Sequence, residues 1–229
     1  MNKVKRYYKV NYIINLIFKE FFFKKKISIN WNAYPKRYDL INEIIIKKKF
    51  KSYLEVGCFQ DENFNKIRIN NKVGVDPVSG GNIRKTSDEY FSNCKDFFDI
   101  IFIDGLHHYA QVKKDINNAL KFLNKQGLIL VHDCLPTKAR DQMVPRSHEN
   151  WNGDVWKAIV EFRTKKNIDT YVCLADQGLG LILKRENKNK LDLNINNFKN
   201  LKFSDYYSNY NKFMNIISHN DIFKVLDLK

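Results

Sequence analysis

Glu55 and Asp76 stand 21 positions apart in the stretch KSYLEVGCFQDENFNKIRINNKVGVD, with Gly57 two residues after the first acid. A nucleotide-binding βαβ unit uses this pairing. Glycine exposes backbone at the end of the first strand, and a carboxylate closing the second strand accepts ribose hydroxyls. Three more polar residues follow apolar runs further on: Asp104 after FFDIIFI, then His132 and Asp133 after LILV. In an open parallel sheet the ligand lies beyond the carboxyl ends of the strands. Glu55, Asp76, Asp104, His132 and Asp133 are therefore expected to face one crevice. Carboxylates and imidazoles gathered there can bind sugar hydroxyls, hold a cation or take a proton.

The elements that must position them alternate along the chain. Tyr53–Val56 reads as a strand, Asn63–Ile69 as a short helix and Val73–Val75 as a second strand. Phe97–Asp104 is a β-favouring buried run, and His108–Leu123 carries apolar residues at helical spacing. A strand follows Gly127, and a polar loop with Pro136 and Pro145 crosses the sheet mouth. Asn152 is expected to cap a helix running to Lys165. Thr170–Ala175 and Leu179–Leu183 are joined by the hairpin signal Asp176-Gln177-Gly178, which adds one antiparallel edge strand to a parallel sheet. Upstream, Pro35 starts a helix reaching Lys49; downstream, residues 187–203 read as a linker and Ser204–Ser218 as a helix. The expected units are a helical extension over residues 1–50, a binding domain over 51–186 and a helical addition over 187–229.

Composition narrows the class. The 229 residues suffice for one α/β domain with additions. Four cysteines with no C-x-x-C pair argue against a disulfide framework or a zinc site and point to the reducing cytoplasm. The net charge is +15, and residues 1–51 hold 14 basic against three acidic residues. That basic excess reads either as a Lys- and Asn-rich composition throughout or as a surface for nucleic acid or an anionic membrane. The apolar part of VNYIINLIFKEFFF is too short to span a bilayer and is broken by Lys19 and Glu20. It fits a helix covering the core or a dimer partner, or one lying on the inner membrane face.

From about Leu54 to Leu183 the pattern resembles the class I S-adenosylmethionine-dependent methyltransferases, in the subgroup akin to the macrocin O-methyltransferases and cephalosporin-type methyltransferases. YLEVGCFQDENF is similar to the first strand and its methionine-binding turn, VGVDP to the second motif, and TSDEYF to the segment near adenine. DIIFIDGLHHY and GLILVHDCLP resemble the fourth and fifth strands. The resemblance implies an α/β fold: a Rossmann-like, doubly wound, seven-stranded and mostly parallel sheet with a C-terminal antiparallel strand, flanked by helical additions at both ends. It implies that Glu55, Gly57, Asp76, Ser87, Asp88 and Asp104 bind S-adenosyl-L-methionine. It also implies Mg2+ on Asp104, His132 and Asp133, although imidazole suits that ion poorly. The other route to deprotonating an acceptor is a histidine base, with His107, His132 and Asp133 as the catalytic group. His108 is expected to cap the helix that it precedes. Where the family continues with glycine, this chain has Asp61. Arg140, Arg146, Trp151 and Asp154 are candidate acceptor contacts. The implied reaction is O-methylation of a sugar, a glycan precursor or a related small molecule. An RNA methyltransferase using the basic N-terminal region and a non-catalytic nucleotide-binding module are the alternatives.

Overall fold

Short runs of β-branched, leucine and aromatic residues form the strands of one seven-stranded sheet, because both of their faces are covered. The computed structural model describes residues 27–228 together with Val10 and Ile13, so most of the basic N-terminal stretch lies outside the described residues. The strands are β1 (Ser52–Val56), β2 (Asn71–Val75), β3 (Phe98–Ile103), β4 (Leu123–Val131), β5 (Asp169–Cys173), β6 (Leu179–Leu183) and β7 (Ile216–Ile217). Their order is β2-β1-β3-β4-β6-β5-β7. All run parallel except β6, which pairs antiparallel with both β4 and β5. The antiparallel strand is thus inserted inside the sheet, not placed at its edge as expected. The edge beyond β5 is taken by β7, from the C-terminal stretch.

Helices α1 (Arg37–Lys48), α2 (Ser87–Asn93), α3 (Tyr109–Ala119), α4 (Val155–Arg163), α5 (Phe203–Met214) and α6 (Ile222–Val225) wind on both faces. Strand alternation sorts the core. Leu54, Val56, Ile101 and Ile103 pack with Val112, Ile116, Trp156, Ile159 and Tyr206 from α3, α4 and α5. Tyr53, Ile100, Phe102 and Leu130 pack with Leu40, Ile41, Ile44 and Ile45 of α1 and Ile222 of α6. Both terminal additions therefore share the sheet's core: α1 covers one face, and Leu191, Leu201, Phe203 and Tyr206 join the other.

Two local expectations change. The segment Asn63–Ile69 holds only a 3-10 turn at Phe64–Lys66; it buries Phe64 and Ile67, while the Asn63 amide turns to Glu55. Asn152 does not cap α4; Asp154 stands at that position and Asn152 is used elsewhere. Among the described residues no helix is long and apolar enough to cross a membrane.

Candidate active site

Sheet register lines up the chemistry. Val56 pairs with Val75 on one side and with Ile103 on the other, and Ile103 pairs with Val131. One residue further along each strand, Asp76, Gly57, Asp104 and His132 form a row across four neighbouring strand ends. The ladder continues into that row: Gly57 N–H donates to Val75 O (2.8 Å), Asp104 N–H to Val56 O (2.8 Å) and His132 N–H to Ile103 O (3.0 Å). Strand order reverses between the parallel neighbours β1 and β3, the usual place for a ligand crevice. Gly57 has φ +90°, and a Cβ there would meet Asp104 O at 2.3 Å, so only glycine lets the two loops approach.

Glu55 lies beneath the row, on the α1 side. It is 1% exposed, and the Tyr53 hydroxyl (2.5 Å) and the Asn63 amide (2.8 Å) both donate to its Oε2. Burial pushes its pKa up to about 7 despite those two bonds. Asp76 is the opposite case. Burial would raise its pKa, but backbone N–H groups of Ser79, Phe59 and Val78 outweigh that and hold it low. A carboxylate offers about four lone-pair sites. Three are committed to backbone N–H groups.

The turn after β1 keeps the shape that glycine would give it. Asp61 has φ +61°, and its Oδ1 accepts the Gly81 N–H at 2.6 Å. Ser87 and Asp88 are not drawn into the row's hydrogen bonds. Gln111 of α3 donates to both, and Lys114 pairs with Asp88 at 2.6 Å, which lowers the carboxyl pKa.

Around Asp104 the acids and imidazoles converge. His132 Nδ1 lies 3.1 Å and His107 Nε2 3.4 Å from Asp104 Oδ1, while Asp133 Oδ2 lies 3.2 Å from His107 Nδ1 and 3.5 Å from His132 Nδ1. Burial would lower both imidazole pKa values. Asp133 and Asp104 overcome this at His107, raising it, and Asp104 and Asp133 raise His132 much further. Asp104 is pulled far below the ordinary carboxylate range, because His132 and His107 outweigh its burial. Asp133 itself takes φ +60°, a conformation that costs a non-glycine residue energy.

Four residues at the cluster have roles beyond those predicted. Asn152 donates to Asp133 Oδ1 at 2.8 Å. Trp151 stacks on His107 at 5.1 Å and accepts at its backbone oxygen, 3.0 Å from His107 Nδ1. Asp176, in the β5–β6 hairpin turn, lies 3.7 Å from His132 Nε2. Arg37, at the start of α1, bonds Asp176 at 2.8 Å. Topology was the available signal for the last two: a hairpin after β5 turns at the carboxyl edge, and a helix leading into β1 along its face starts there. Of the other candidates, His108 stands at the N-cap of α3 as expected but makes no side-chain cap bond, and Asp154 accepts the Tyr109 N–H at 2.6 Å. Arg146 donates to the His148 and Glu149 carbonyls, and Arg140 is half exposed beside Asp141.

For a metal, the ligand atoms of Asp104, His107 and Asp133 lie within 4.8 Å of one another. His132 is outside that set, unlike the trio expected. One nitrogen and two carboxylates suit a Mn2+-like or Zn2+-like ion better than Mg2+.

A family model described as a methyltransferase domain matches residues 61–134. An uncharacterized protein of Acanthamoeba polyphaga mimivirus is 27% identical over 124 residues, covering 41% of this chain and 56% of the relative. The chain thus spans about half the length of that curated relative. Among solved structures, cofactor-bound Rv0187 from MTB superposes with TM-score 0.52 at 12% identity, over 71% of this chain and 84% of the other. An O-methyltransferase from Bacillus cereus in complex with SAH gives TM-score 0.48 at 11% identity, over 81% and 92%. At such identities the former likeness establishes a shared fold.

Proposed function

We propose that the chain is a class I S-adenosylmethionine-dependent methyltransferase that methylates a hydroxyl oxygen of a sugar, glycan precursor or related small molecule, a reading supported by the methyltransferase-domain match over residues 61–134. The observation that carries the oxygen acceptor is the Asp104–His107–Asp133 cluster at the row's centre, because a neutral hydroxyl must lose a proton as it is methylated. Bound S-adenosylmethionine supplies an electrophilic methyl group on a sulfonium. Gly57 and Asp76 would hold it from the row and Glu55 from beneath, with Ser87 and Asp88 further out.

His107 is the proton acceptor in this reading. Its Nδ1 faces the Trp151 carbonyl, which only accepts, so Nδ1 carries the hydrogen and Nε2 is left to take the acceptor's proton. Asp104, 3.4 Å from Nε2, stabilises the imidazolium that results. Asp133 and Trp151 fix the ring's orientation.

The test is transfer of labelled methyl from S-adenosylmethionine to a panel of hydroxylated sugars and phenols, with and without EDTA. Labelled ethers formed in EDTA support the histidine route; activity restored only by added Mn2+ or Zn2+ moves deprotonation to a metal. Label entering RNA in a salt-sensitive way would favour the nucleic-acid alternative. No S-adenosylhomocysteine binding by calorimetry would favour the non-catalytic one.

A further inference from the structure

Arg37 belongs to the N-terminal extension, yet its guanidinium reaches the carboxyl edge of the sheet. Its backbone N–H and Nη1 both donate to Asp176 Oδ2, at 3.3 and 2.8 Å. Its Nε is buried without a hydrogen-bond partner and lies 3.9 Å from Asp104 Oδ2. Asp104 Oδ1 lies 3.4 Å from His107 Nε2 and 3.1 Å from His132 Nδ1, so Arg37 faces the carboxylate's other oxygen. Asp176 is engaged from its other side as well. His132 Nε2 is buried, has no hydrogen-bond partner, and points at the same Asp176 oxygen from 3.7 Å. Helix α1 and the β5–β6 turn, with Arg37 and Asp176 lying 139 residues apart in sequence, therefore meet behind Asp104 and His132.

We propose that Arg37 and Asp176 are positioning residues of this site, acting through Asp104 and His132, so that the N-terminal helix is a working part of the catalytic edge. This rests on the methyltransferase reading for its consequence but not for its geometry. An orphaned guanidinium nitrogen facing a carboxylate, and an orphaned imidazole nitrogen facing another, are costly unless a shared arrangement holds them. Lys36, 3.7 Å from Asp176, adds a second cation to that arrangement.

The test uses the full chain and the variants Arg37→Gln, Arg37→Lys, Asp176→Asn and the Arg37→Gln/Asp176→Asn double. The first readout is the His132 ring resonances in labelled protein. They are expected to move in both single neutral variants and no further in the double, since the two act as one unit. Lys125→Gln, at the opposite end of the sheet, is expected to leave them in place. The second readout is S-adenosylhomocysteine affinity, expected to stay within about threefold, while turnover with the best acceptor of the panel falls about 10–100-fold. Arg37→Lys is expected to recover part of that loss, and it keeps the question open to measurement should Arg37→Gln fail to fold. Unmoved His132 resonances in folded Arg37→Gln and Asp176→Asn, or additive shifts in the double, overturn the proposal. Absence of cofactor binding by the wild type would instead remove the methyltransferase reading and leave the ring resonances to decide the positioning.

Discussion

A carboxylate removed from water must either keep its proton or be surrounded by donors, and Glu55 and Asp104 take opposite courses. Glu55, with a pKa of about 7 against an ordinary 4.5, holds its proton through the weakly acidic range. Because the folded value is the higher one, its contribution to stability is complete below about pH 4.5 and is lost as pH rises through about 7. Urea unfolding should show the wild type losing on the order of 3 kcal/mol relative to Glu55→Gln between those limits; parallel curves would refute the buried, neutral acid. In the proposed reaction His107 carries the pH dependence. As a base it works deprotonated, and its pKa is raised, so kcat/KM should climb with pH through a limb above the ordinary value of about 6.5. His107→Ala should abolish that limb and lower turnover at least about 100-fold. Asp61 shows how a sequence departure can leave the backbone unchanged. Its left-handed conformation suits glycine, and its carboxylate bonds Gly81. Asp61→Gly exchanges that bond for relief of strain and should change stability by less than about 1 kcal/mol, whereas Asp61→Ala loses both and should cost about 1–3 kcal/mol by denaturant unfolding.

At the scale of elements, strand tips were legible and their surroundings were not. Apolar runs ending in acids located β1, β3 and β4, and register then turned those ends into a row. Glu55 left that row because strand alternation puts it on Tyr53's side, under α1. Asn152 looked like a cap, but its amide serves Asp133, 19 residues away, a contact no local rule encodes. The same holds for the loop carrying Trp151, which is pressed against His107. Gly153 has φ +61°, and a Cβ there would fall 1.8 Å from His107 O. Gly153→Ala should therefore lower both melting temperature and turnover by displacing the His107 loop. Gly105→Ala, where a Cβ meets only ordinary contact at 3.6 Å, should leave both nearly unchanged. Equal tolerance at the two sites would mean that the Trp151 loop does not hold His107 in place.

Across the whole molecule, the alternating pattern gave away a doubly wound sheet, while the strand that finishes it escaped notice. Ile216 and Ile217 lie in a stretch expected to be helical to Ser218, and two residues are too few for a periodic signal. They form β7 only because Asn215 turns left-handed after α5 and delivers them alongside Val172 and Cys173. Residues 187–228 thus add Leu191, Leu201, Phe203 and Tyr206 to the core and β7 to the sheet. A chain ending at Glu186 would leave the outer rim of β5 with unanswered amides and carbonyls. Such a fragment should recruit the β5 rim of a second copy and appear on a sizing column as dimers or larger aggregates, so the shortest well-behaved catalytic fragment must extend past Ile217.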